Sequence, residues 1–400
     1  MINSSVKDYV KLVQPYTSSA LISSATWGKI NAIAALLPSD ITSFFGFECP
    51  LGIAAAKSDF LICAEAAESG REVLAANHGG LPKLLLSDPI WHQIHKFSQA
   101  WQNETSALYQ QVHNVWLEFD IDDYGDSLPV PSCFFGPQPI YSSKSPDAGL
   151  AENNSYEWIT RTGLQLLLNA NLPEAVEEEL FKCLDLLPHE AYVFQIGVML
   201  ARNVNNQVRV CIRNISPEQI GEYLQKIGWS GSVDILEVFL QEISGLVERI
   251  DLDIDVGESI GAKIGLECYF SKQPKLEPRW QLFLDYLVGK NLCLTGKQAA
   301  LLAYPGFVRE SAAPGDWPSY LSRSCNLLEN HAEAVFFRQI HHIKIVYQDN
   351  HPQLAKAYLA MGYWLITQDF VQQYRKSQVN SIDGRKLQNY VGIRNFTSPT

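Results

Sequence analysis

The clearest pattern in the chain is an alternation over residues 250–270, IDLDIDVGESIGAKIGLECYF. Ile250, Leu252 and Ile254 alternate with Asp251, Asp253 and Asp255. After a turn, Ala262, Ile264, Leu266, Cys268 and Phe270 alternate with Lys263, Gly265, Glu267 and Tyr269. Successive side chains of a strand point to opposite faces, so this spacing predicts a β-hairpin with one apolar and one charged face.

The same plan recurs along the sequence. Segments 42–50 and 57–65, 114–122 and 131–137, 191–202 and 207–213, and 341–348 and 355–364 are rich in β-branched and aromatic residues. Each pair is interrupted by Gly, Pro, Asn or Asp, as hairpins are. Five hairpins are therefore predicted, near 42–65, 114–137, 191–213, 249–270 and 341–364. Between them the period becomes helical, over 84–112, 156–184 in two segments, 216–228, 232–247, 277–288 and 295–304, with a last helix over 367–377. Ser216 followed by Pro217 is a helix-opening pair. The Pro- and Gly-rich stretch 303–320 is predicted to be a long loop and a candidate lid.

Five hairpins supply ten antiparallel strands in an α+β chain. A sheet of that size curls or closes, and closure removes exposed edges. The expected architecture is one domain over 1–400: a ten-stranded antiparallel β-barrel built from five ββ hairpins and surrounded by a ring of α-helices. Its charged face would then turn inward. The alternative is an open sheet with one wet face.

Composition narrows the function classes. The 400 residues are 46% hydrophobic and 18% charged, enough apolar material for a large core. A net charge of -12 argues against a nucleic-acid partner, which favours a basic surface. No apolar run is long enough for a transmembrane helix, and the start lacks the pattern of a signal peptide, so a cytoplasmic protein is expected. The eight cysteines show no C-x-x-C spacing and lie mostly in apolar runs, which suits reduced, packed thiols.

Five α-β-β-α units around a ten-stranded barrel resemble the plan of the ABBA, or PT-barrel, aromatic prenyltransferases. The resemblance spans about residues 40–375. It is carried by element order and spacing, with local echoes in VWLEFDID followed by PSCFFGP, in ARNVNNQVRVCIR, and in KAY at 356–358. It implies transfer of an allylic prenyl group from a prenyl diphosphate to an aromatic small molecule or peptide side chain, in natural-product biosynthesis. Such chemistry needs clustered cations for the leaving pyrophosphate, aromatic faces for the allylic cation and a carboxylate for the acceptor.

By strand parity the inward basic residues are Arg209, Arg213, Lys263, Lys344 and Lys356, and the tyrosines that share their faces are Tyr269 and Tyr358. The resemblance places the acceptor-orienting carboxylate at Glu48. Glu118, on the same strand face as Trp116, is a second candidate. The family's arginine in the second strand and lysine in the fourth are absent from DFLICAE and PSCFF. Asp120, Asp251, Asp253 and Asp255 would repel a pyrophosphate unless a metal intervenes. No cofactor is required, but aligned Asp251, Asp253 and Asp255 would suit magnesium.

Other clusters read as ordinary structure. His92 and His95 lie one helical turn apart with no third ligand in view. His341 and His342 are adjacent in a strand, so at most one is expected to enter a site. Two further functions compete with prenyl transfer. One is a barrel enzyme of a peptide or natural-product pathway with an acidic, metal-binding cavity. The other is a non-catalytic barrel that binds a small molecule or peptide.

Overall fold

A computed structural model describes residues 4–76, 80–121, 128–142, 156–202, 207–313, 315, 317–318, 321–322 and 333–366. Eleven strands form one sheet: β1 Phe44–Pro50, β2 Asp59–Glu65, β3 Val112–Phe119, β4 Ser132–Pro137, β5 Tyr192–Val198, β6 Val208–Arg213, β7 Arg249–Val256, β8 Ile260–Tyr269, β9 Gly306–Arg309, β10 Glu333–Gln348 and β11 His351–Ile366. Strands β1 to β8 follow one another around the sheet. Then β8 pairs with β10, β10 with β11, and β11 with β1, every pairing antiparallel. Ten strands thus close into a barrel, and β9 is appended to β10 outside the ring.

The alternation in the sequence explains which face is which. Leu117, Phe119, Leu252 and Leu266 are all fully buried and belong to the apolar layer between sheet and helices. Trp91 packs on Phe119 at 6.1 Å, Phe97 on Phe135 at 5.6 Å, and Phe239 on Tyr347 at 5.5 Å between ring centroids. Burial of each such side chain contributes about 1.5–3 kcal/mol, and a one-residue slip of register would turn the whole set into the lumen. Around the sheet run helices that include Ser24–Leu36, Pro89–Gln102, Glu174–Asp185, Pro217–Ile227, Val233–Ser244, Arg279–Gly289 and Thr295–Ala303. The helix that opens at Ser216 carries a full capping box with Gln219 and ends on Gly228 at φ 86°.

Several boundaries differ from expectation, each for a local reason. The helical stretch 84–112 is broken into Lys83–Leu86, Pro89–Gln102 and Ala107–Gln111, with Asp88 and Ser106 capping new starts. β5 stops at Val198, and Leu200–Arg202 turns away. The fifth hairpin is much longer than its apolar run. β10 and β11 have 16 residues each, joined at Asp349 and Asn350, which take φ of 53° and 62°. Two consecutive positive-φ residues form the tight turn that fits twisted strands. The predicted lid loop at 303–320 contains β9, which pairs Phe307 with Phe337. The helix expected over 367–377 lies outside the described residues. Among the described residues no helix is long and apolar enough to cross a membrane.

Candidate functional site

Inside the barrel, a cavity of about 480 Å³ occupies the half nearer Phe44, Tyr269 and Arg213. Its mouth lies at the exposed residues Ala67, His113 and Gln138. Aromatic side chains from separate strands form much of its wall: Phe44 of β1, Trp116 of β3, Phe134 of β4, Phe194 of β5, Tyr269 of β8 and Tyr358 of β11. Gly197 of β5 makes room for Phe134, because a Cβ there would collide with the ring. Arg209, Cys211 and Arg213 of β6, Glu267 of β8 and Lys344 of β10 supply the polar wall.

Glu118 stands apart from the other carboxylates of the lumen. It lines the cavity and makes no ion pair or hydrogen bond among the described residues. Burial, reinforced by the charge of Glu48, pushes its carboxyl up to about 7 despite Arg209 and Lys344. A carboxyl poised there exchanges a proton readily near neutral pH.

The sequence-selected cations all face carboxylates. Arg213 Nε meets Asp251 Oδ2 at 3.0 Å, and Arg249 Nε meets the other oxygen at 2.9 Å. Arg209 makes a two-pronged contact with Asp255, at 2.9 and 3.1 Å, and Lys263 reaches the same carboxylate at 3.5 Å. Lys344 pairs with Asp253, and Lys356 with Glu48. Asp251, Asp253 and Asp255 therefore turn inward as their parity requires, but each is engaged by Lys or Arg. Among the described residues no group of three His, Cys, Asp or Glu side chains is arranged to hold a metal ion.

The cavity takes up only some of the selected residues. Trp116, Glu118, Arg209, Arg213, Lys344, Tyr269 and Tyr358 come together on the cavity. Glu48, Lys263, Lys356 and the three aspartates lie outside its lining. At the far end Glu48 accepts from Lys356 and from the Tyr358 hydroxyl. Burial opposes ionisation of Glu48, yet the Lys356 charge and these hydrogen bonds hold its carboxyl down to about 2. Nearby Asp59 is pushed up to about 7 by burial and by Glu48 and Asp120, while Asp120 itself pairs with Arg202. That end is a plug of paired charges.

Two residues that alternation assigns to opposite faces share the cavity. A β-bulge between Ile340 and His342 shifts the register, so both His341 and His342 line it. Their Nδ1 atoms are 2.7 Å apart, close enough to share one proton. The His342 ring stacks on Tyr358 at 4.1 Å and lies against Tyr269 at 4.8 Å. Burial, with neighbouring positive charge, holds both imidazoles well below their ordinary range. A second bulge, between Val193 and Gln195, likewise brings both Phe194 and Gln195 to the cavity. Bulges leave no mark in hydrophobic periodicity, so neither pair was legible. Arg249 was missed because it precedes the alternating run.

No family model matches the sequence, and no curated protein matches it. Among solved structures, the chain is similar to the apo form of the prenyltransferase PriB, with a TM-score of 0.45 and 11% identity, covering 89% of this chain and 94% of that one. It is also similar to AnaPT from Neosartorya fischeri, with a TM-score of 0.48 and 14% identity, covering 91% and 94%. Strand order and closure themselves show a closed ten-stranded antiparallel barrel with outer helices, the PT-barrel-like architecture that the sequence led one to expect.

Proposed function

We propose that the barrel transfers an allylic prenyl group from a prenyl diphosphate to an aromatic small molecule or peptide side chain. The observation that carries this reading is the setting of Glu118. A carboxyl with no hydrogen bond or ion pair among the described residues, raised to about 7, shares one cavity with aromatic rings and with Arg209, Arg213 and Lys344. In the reaction the carbon–oxygen bond to diphosphate breaks and its electrons leave with pyrophosphate. A carbon of the acceptor ring then bonds to the allylic carbon, and Glu118 takes the displaced ring proton. Tyr269, Tyr358 and Trp116 offer π faces to the allylic cation and keep water away from it. Arg209 and Lys344, on the cavity wall, supply positive charge to the leaving group.

The test is to incubate the protein with dimethylallyl or geranyl diphosphate and indole- or phenol-bearing acceptors. A mass gain of one prenyl unit, with release of pyrophosphate, supports the reading, and Glu118→Gln should slow it by roughly 10²–10⁴-fold. A second reading is favoured by the ion pairs. Because the cavity's cations already face aspartates, the same chamber would accept a cationic substrate such as a basic peptide, with no prenyl transfer. Product-free incubations together with saturable binding of a basic peptide would select it.

A further inference from the structure

The hairpin of β10 and β11 extends past the end of β1, and β9 is added to this extension. Its inner face continues the wall of the lumen. Phe307 of β9 is 64% exposed and its ring lies 6.1 Å from Trp364. Trp364 stacks on Phe337 at 4.4 Å, Phe337 lies 6.2 Å from Phe44, and Phe44 meets Trp116 edge-on at 5.7 Å. Phe44 and Trp116 line the cavity. An unbroken row of aromatic rings therefore runs from an exposed strand into the chamber. Among the described residues, no strand pairs with the second edge of β9.

We propose that this arm docks the acceptor as an extended peptide, which adds a strand to β9 and sends an aromatic side chain along the row into the cavity. The proposal rests on the reading above and narrows its acceptor class. Two independent features point to a peptide rather than a free aromatic molecule. The open edge of β9 offers backbone groups that only another extended chain satisfies in series. The exposed ring of Phe307 lies on that strand and begins the row of rings that leads into the cavity.

The experiment measures binding by calorimetry, without prenyl donor. The probes are a linear, acetylated and amidated pentapeptide with a central tryptophan, the same peptide N-methylated on alternate backbone nitrogens, and N-acetyltryptophanamide. The pentapeptide is expected to bind at least tenfold more tightly than the other two. Phe307→Ala, at an exposed position, should weaken the pentapeptide at least fivefold while leaving dimethylallyl diphosphate binding unchanged. Equal affinities for all three probes, or no effect of Phe307→Ala, would overturn the proposal. Tight peptide binding without any binding of prenyl diphosphates would uphold the docking arm and remove the prenyl reading.

Discussion

Lys344 and Asp253 form a buried ion pair across the space left by a glycine. The two side chains come from β10 and β7, on either side of β8, and they meet over Gly265. A Cβ at Gly265 would collide with Asp253 Oδ2 and with Lys344 Cε. Both ionised side chains are under 10% exposed, so their pairing decides whether that wall can hold charge at all.

Gly265→Ala is the first prediction. The methyl group forces the pair apart in a wall where both charged side chains are buried. The expected loss is about 3 kcal/mol, read as a fall in denaturation midpoint at unchanged m-value. An unchanged midpoint would mean that the wall yields and that the glycine is not required.

The pair itself is open to a double-mutant cycle. Lys344→Met leaves Asp253 buried beside Arg209, at 4.0 Å, and Asp253→Leu leaves Lys344 with only its cross-strand neighbour Glu267 as a nearby opposite charge. Each single change should cost about 3 kcal/mol. The double change should cost at least ~2 kcal/mol less than their sum. Additive losses would show the two charges to be independent.

Glu118 makes stability depend on pH in a definite direction. Its carboxyl is raised from 4.5 to about 7 in the folded chain. The folded form therefore holds its proton more tightly than the unfolded one. No penalty exists below pH 4.5; stability falls as pH rises from about 4.5 to about 7 and stays lower beyond. Glu118→Gln should stabilise the protein by roughly 3 kcal/mol at pH 8 and by almost nothing at pH 4. Denaturant titrations at the two pH values check this, and equal effects at both would contradict it.

Glu48 behaves in the opposite sense. Its carboxyl is lowered from 4.5 to about 2, so its contribution is present above pH 4.5 and is lost as pH falls toward 2. Lys356→Met removes the main cause, costing roughly 3 kcal/mol at pH 7, with little further loss on acidification. If the variant instead kept the acid sensitivity of the parent, the Glu48–Lys356 contact would not be its source.

Much of this architecture was legible because strand alternation is a rule with a period of two. It placed Asp251, Asp253 and Asp255 inside and Leu252 outside from the sequence alone. Parity says which face a residue occupies, not which partner it meets there. Lys356 and Lys263 have the right face, but they are engaged by Glu48 and Asp255 and stay out of the lining that Arg213 and Lys344 reach. His341 and Phe194 were missed for a different reason. A bulge inserts one residue and breaks the period locally, and backbone pairing, not hydrophobicity, decides where it falls. The β9 strand was hidden in a loop-like composition because its pairing with β10 is an edge contact of only four residues.

The most direct test of the account is calorimetric titration of the full chain with dimethylallyl and geranyl diphosphate. The account predicts saturable one-to-one binding of at least one of them below millimolar concentration. Lys344→Met should weaken that binding, because it loses a charge-assisted hydrogen bond worth roughly 1.5–3 kcal/mol. No binding of either diphosphate at millimolar concentration would contradict it, because the aspartates would then hold the lumen's cations too firmly for a pyrophosphate to reach them.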